Sequence, residues 1–260
     1  VSLPDLVAEH GSPAYVLDEA DFRSRAAAFR DGFADFDVYY AGKAFLCTSV
    51  VQWLAEEGLR LDVCSNGELT VAARAGFDMA KVGYHGNNKT TAELARAFDL
   101  GVGRVVVDSF AEIDRVIALA AEREPGAVKV MVRVTAGVEA HTHEFIATAH
   151  EDQKFGFSIA SGAALEGIKR LAAAENVTLL GLHSHIGSQI FDTAGFEVAA
   201  RRLLALHAQV ERDLGVVMEE MDLGGGFGIA YTTQDSPSTP AKLAAGMAEI
   251  VAHECRALGI

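Results

Sequence analysis

The chain has 260 residues, half of them hydrophobic, so it can fill one large α/β barrel of roughly 250 residues or two modest domains. A formal charge of -14 argues against nucleic acid or a membrane as partner, since both need clustered Lys and Arg, and favours small-molecule chemistry in which a local pocket can still take a phosphorylated group. Three cysteines, Cys47, Cys64 and Cys255, lack CxxC spacing, no charged signal peptide precedes them and no apolar run nears the ~20 residues that span a bilayer, so the expected location is cytoplasmic.

An N-terminal lead-in, residues 1–36, runs through LVAEHG and AYVLD (14–18) into a helical DFRSRAAAFRDGF. From residue 37 to 260 short apolar runs alternate with amphipathic stretches, the rhythm of βαβ units. Strands are predicted at VYYAG (38–42), LDVC (61–64), KVGYH (81–85), RVVVD (104–108), VKVMVRV (128–134), VTLLGLHSH (177–185) and VVMEEMDLG (216–224). Their apolar residues are mostly continuous, as in parallel strands covered on both faces.

Ser65 with Glu68, Thr90 with Glu93 and Ser109 with Glu112 each match a capping box. Thr239 followed by Pro240 reads as a cap and a first-turn proline, while Gly58, Gly76, Gly101 and Gly259 stand where helices should stop. The pattern contains seven strand-plus-helix units, and a closed barrel of this class needs eight strands, so the sequence reads as a piece of something longer. The connection TAGVEAHTHEFIATAHEDQKFGF (135–157) is too long and polar for a simple turn. It is expected to lie on the active face as a lid over the substrate, carrying His141, His143 and His150.

Four groups of residues could carry chemistry. Lys43 follows the first strand among apolar neighbours, where desolvation would make its amine nucleophilic enough to form a Schiff base; a snorkelling or ion-paired lysine is the plainer reading. GGGFG (224–228) follows the seventh strand, where barrels bind phosphate, although a glycine run also makes an ordinary tight turn. HSHIGSQ (183–189) offers an imidazole at His185 and a hydroxyl at Ser188, against a histidine merely packed at a strand end. Asp62 and Arg133 end strands on the same face, where a buried ion pair would equally explain them. His141-x-His143 and His183-x-His185 raise the alternative of a zinc hydrolase, which leaves Lys43 and the glycines without a task. Together, a lysine, an imidazole and a phosphate cradle on one rim are the contacts that pyridoxal phosphate (PLP) needs, and no metal site is expected.

The segments YYAGKAF, LDVCSNGEL, HGNNK, VEAHTHEFIATAHEDQKFGF, GLHSHIGSQIF and DLGGGFGIAY, in that order, resemble the diaminopimelate decarboxylases over essentially the whole chain. HxGS and GGG are shared with the wider group of ornithine and arginine decarboxylases, whereas EAHTHEFI and HEDQKFGF are particular to the diaminopimelate branch.

The resemblance implies a TIM-like (β/α)8 barrel of the alanine racemase/ornithine decarboxylase type, lacking its eighth strand and C-terminal β-domain, with residues 1–36 lending a strand and helix partly to that second domain. It implies that Lys43 holds PLP as a Schiff base and then moves a proton, that His185 stacks on the cofactor, and that Ser188, Gly224, Gly225 and Gly226 bind its phosphate. Asp62, Glu68 and Arg133 would line the pocket. The implied reaction removes the carboxylate at the D-configured end of meso-diaminopimelate to give L-lysine, a step of lysine biosynthesis, in a homodimer when full length.

The sequence stops before the Glu-Pro-Gly-Arg segment of that family, so residues 1–260 alone are expected to show little or no activity. The other readings are a decarboxylase for ornithine or arginine, a metal-dependent barrel hydrolase, and a non-catalytic barrel that only binds a partner.

Overall fold

The computed structural model describes residues 2–137 and 154–260. Helix α1 (Leu3–His10) and helix α2 (Glu19–Gly32) lead into the alternating part of the chain. Residues 11–18 form neither helix nor strand and leave Tyr15, Val16 and Leu17 exposed. The strands are β1 (Tyr39–Ala41), β2 (Arg60–Val63), β3 (Val82–Tyr84), β4 (Arg104–Val107), β5 (Val128–Thr135), β6 (Phe157–Ser158), β7 (Val177–His183) and β8 (Glu220–Asp222). Between them run helices α3 (Thr48–Glu56), α4 (Asn66–Arg74), α5 (Thr91–Asp99), α6 (Phe110–Ala120), α7 (Ala163–Ala172) and α8 (Ala194–Leu214), and α9 (Pro240–Leu258) follows β8.

Each predicted strand is present, most of them shortened, while β2 starts one residue earlier than expected and β5 runs one residue further, and all pair in parallel in the order β1-β2-β3-β4-β5-β7-β8. The short β6, at the end of the stretch predicted as loop, pairs with the last two residues of β5.

The sheet curls into a barrel wall. Arg104 on β4 shows this, because its guanidinium stands 5.2 Å from the Tyr39 ring on β1 and 3.1 Å from the Glu220 carboxylate on β8, the two ends of the strand order. Helix α9 packs against α8 and back against α2, and only a glycine at position 32 lets α2 come so close, since a Cβ there would be 2.8 Å from the Ala241 nitrogen. The core lies between sheet and helices, with Leu54, Leu61, Leu69, Leu94, Ile113, Ile168, Leu171 and Leu203 fully buried. Among the described residues no helix is long and apolar enough to cross a membrane.

The end signals explain how the chain enters and leaves each helix. Thr90 and Glu93 form the full reciprocal box. The expected boxes at Ser65 and Ser109 are half formed: each serine accepts from the glutamate's backbone N–H, but the Glu68 and Glu112 carboxylates reach one residue further back, to the N–H of Cys64 and Asp108. The glutamate thus fixes the last residue of the preceding strand end, which is where a barrel places its chemistry. Gly58, Gly76, Gly101 and Gly259 all have positive φ, the left-handed turn that ends a helix.

Candidate active site

Lys43 leaves the carboxyl end of β1 in a turn held on three sides. The Gly42 N–H donates to the Asp62 carbonyl at 2.8 Å, the Ala44 N–H to the Ala41 carbonyl at 3.0 Å, and the Tyr40 hydroxyl to the Phe45 carbonyl at 2.9 Å. Burial was expected from the apolar neighbours of Lys43, and the structure corrects that: Lys43, Ala44 and Phe45 are exposed. These residues stand on the rim rather than in the wall, so local apolarity does not report desolvation here. The lysine remains close enough to His185 for its charge to act on that ring.

His185 follows β7, half-buried. Burial, then the charges of Arg133, Lys43 and His183, hold its pKa down to about 4. The ring is therefore neutral at pH 7 and offers an uncharged aromatic face. A stability consequence follows with a definite sign. The unfolded chain protonates this histidine near pH 6.5 and the folded chain only near 4, so its contribution is intact above about 6.5 and is lost as pH falls through that window, by roughly 3 kcal/mol. Urea unfolding of the ligand-free protein at neutral and mildly acidic pH should show this loss, and His185→Gln should remove that part of the slope; an unchanged slope in the variant would refute the assignment.

The loops after β7 and β8 are zipped together. Ile190 donates to the Gly226 carbonyl at 2.9 Å and Gly228 donates back to the Ile190 carbonyl at 2.8 Å. The Gln189 amide both donates to the Ile229 carbonyl and accepts from its N–H. Phe227 anchors the turn by inserting among Phe29, Phe33 and Phe196, so α2 and α8 hold it from outside. A Cβ at Gly226 would overlap the Gly187 carbonyl and lie 3.1 Å from the Ser188 Cα, which brings the exposed Ser188 beside the glycines.

Asp222 changes how that turn can be used. Its Oδ1 accepts the Gly224 N–H at 2.7 Å. Gly224 therefore shapes the turn while its donor is already engaged, and among the described residues the Gly225 and Gly226 N–H groups donate to no protein acceptor. Burial pulls the Asp222 carboxyl up, but the charge and hydrogen bond of His183, the charge of His85 and the Gly224 N–H outweigh it and hold the group well below the usual carboxylate range.

The other predicted residues fall around this centre. Asp62 Oδ1 is 3.2 Å from His85 Nε2. Arg133 Nε is 3.8 Å from Asp108 Oδ1, and the Arg133 guanidinium covers the Phe155 ring at 4.5 Å. Asp62 and Arg133 are thus charge-paired and at the rim at once, so the two readings of them are not exclusive. Glu68 is engaged locally, its Oε2 accepting the Cys64 N–H at 2.6 Å. His141, His143 and His150 lie outside the described residues, as does most of the stretch expected to form a lid.

Sequence reasoning passed over a layer beneath the rim. Asp222, His85 and Asp108 each end or follow a strand on the same face, and a carboxylate two residues before GGG was the available signal for the first. Below them Lys89 Nζ sits 2.8 Å from Glu112 Oε1 and donates to the Val106 carbonyl at 2.8 Å and to the Gly86 carbonyl. Both side chains are buried, at 2% and 1% exposed.

The residues fit pyridoxal phosphate. Two amides unengaged among the described residues and a hydroxyl form a donor set for a phosphate, Gly225 has no atom within 4 Å of where a Cβ would stand, and an exposed amine and a neutral ring share the rim.

A curled parallel barrel with an amine after its first strand and an anion-receptive turn after its last defines a PLP-type barrel. Residues 19–259 match the family described as pyridoxal-dependent decarboxylase, pyridoxal binding domain, and the chain belongs to it. It is 52% identical to the diaminopimelate decarboxylase of Mycobacterium leprae over 99% of this chain, and spans 56% of that relative's length. Among solved structures it resembles the diaminopimelate decarboxylase of M. jannaschii in co-complex with L-lysine, with a TM-score of 0.87 and 28% identity over 96% of this chain and 59% of that one. It also resembles the lysine/ornithine decarboxylase of Vibrio vulnificus complexed with putrescine, with a TM-score of 0.80 and 25% identity over 96% of this chain and 62% of that one.

Proposed function

We propose that this chain is the cofactor-binding barrel of a diaminopimelate decarboxylase, acting in lysine biosynthesis, cytoplasmic and a homodimer at full length. The observation that supports it most is that Lys43, His185, Ser188 and the glycine turn share one rim in a chain 52% identical to an enzyme of that name. Residues 1–36 serve as lead-in and 37–260 as barrel.

Pyridoxal phosphate, when bound, supplies an electron sink for the pair left by a departing carboxylate. Lys43 would be the attachment point for the cofactor and would move a proton at its Nζ. Its exposure lets the amine reach both cofactor and solvent-delivered substrate. His185, kept neutral, would offer the cofactor ring an uncharged face. Ser188 and the Gly225 and Gly226 amides take the phosphate; Gly224 contributes the bend. Arg133, Asp62 and Glu68 border the pocket, with Asp108 fixing Arg133 from below. The substrate is the acid whose D-configured end loses CO2, meso-diaminopimelate.

Competition among meso-diaminopimelate, ornithine and arginine on the complete protein tests this reading. CO2 release from meso-diaminopimelate that excess ornithine or arginine barely inhibits is expected, because a distal amino-acid end needs a charged clamp that a plain amine does not. Preferred turnover of ornithine or arginine would move the protein into the wider decarboxylase group.

A further inference from the structure

Two imidazole–carboxylate pairs meet inside the barrel mouth. His85 Nε2 lies 3.2 Å from Asp62 Oδ1, and His183 Nδ1 lies 2.9 Å from Asp222 Oδ2. The two rings touch edge to face, centroids 4.9 Å apart at 71°. Strands β4 and β5 separate β3 from β7 in the sheet, so this contact crosses the lumen instead of following a ladder.

The ends of the chain of contacts matter more than its middle. The Asp62 carbonyl accepts the Gly42 N–H beside Lys43, and the Asp222 carboxylate accepts the Gly224 N–H at the glycine turn. Strand β3 has made room for the first pair, since a Cβ at Gly83 would come 2.5 Å from Asp62 Oδ1. Burying two carboxylates at a rim is costly unless each has a partner held in place, and here each partner also contacts the other.

We propose that His85 and His183 are positioning residues, a cross-lumen brace that holds the lysine turn and the glycine turn at the separation the cofactor needs. This rests on the PLP reading above. As positioning residues the two histidines act through Asp62 and Asp222. His85 faces Asp62 from β2, His183 from β7, Asp222 from β8 and Lys89 on the loop after β3. Burial pulls the His85 pKa down, yet the charge and hydrogen bond of Asp62 and the charge of Asp222 raise it above the ordinary value, with Lys89 opposing. His85 therefore holds its proton to higher pH than a free imidazole does, and the brace weakens as that proton leaves.

The test is a spectroscopic titration of PLP into the cofactor-free, full-length protein across neutral and alkaline pH, for wild type, His183→Asn and His85→Gln. Losing the imidazole that faces the Asp222 carboxylate at 2.9 Å should weaken PLP binding by roughly ten- to a hundredfold in His183→Asn. His85→Gln should bind more weakly at neutral pH and lack the alkaline fall in affinity that wild type shows. If His183→Asn does not fold, His85→Gln, at the ring that is 16% rather than 6% exposed, decides alone. Wild-type affinity and an unchanged pH profile in His85→Gln would overturn the brace while leaving the PLP reading intact; wild-type protein that takes up no PLP would overturn the PLP reading, and the brace with it.

Discussion

Lys43→Ala should reduce the turnover of the complete enzyme by ~10²–10⁴-fold or more, the range by which a positioned proton-transfer group contributes, with covalent attachment lost in addition. Lys43→Arg should fare no better, because a guanidinium keeps the charge but stays protonated and cannot attack an aldehyde. The geometry makes the prediction sharp. Lys43 is exposed and, among the described residues, carries no ion pair, so its removal leaves no buried charge behind and the fold should be unaffected. CO2 release and urea unfolding, measured side by side, separate chemistry from folding. Turnover within a few-fold of wild type would remove the lysine from the mechanism.

Lys89→Met should be the most damaging single change to stability, by about 3–5 kcal/mol, the cost of leaving a buried charge without its partner. Glu112 is 1% exposed; burial raises its pKa, and Lys89 is the main force opposing that rise. The same carboxylate accepts the Asp108 N–H, and Asp108 in turn faces Arg133. The loss should therefore propagate from the loop at 85–89 to the rim. Pairing Lys89→Met with Glu112→Gln removes the orphaned charge and keeps the acceptor for Asp108, so the double variant should recover at least half of the loss. Chemical denaturation of the three variants checks this, and a double variant no more stable than the single one would show that desolvation of Glu112 is not the cause.

Much of the fold was legible because parallel strands covered on both faces leave continuous apolar runs. RVVV at β4 is buried at every position. Helix ends were legible because Thr90, Thr239 and the glycines at 58, 76, 101 and 259 act through local geometry. What escaped was long-range. The pairing of His85 with Asp62, or of His183 with Asp222, joins residues from different strands, and no period in the sequence announces it. The expected desolvation of Lys43 failed for a related reason: Phe45 is apolar and yet 51% exposed, because it stands on a rim turn. The glycine turn was located correctly, but the division of labour within it was not visible, since it depends on Asp222 having already engaged one of three amides. The two-residue β6 lay at the end of a polar stretch whose composition gave no strand signal.

The most direct test of the whole account is chemical labelling of the complete protein. After PLP is added and the sample is treated with borohydride, peptide mapping should place a single pyridoxyl label on Lys43, with loss of visible absorbance in step with labelling. A label on Lys89, on Lys154 or on no residue at all would contradict it.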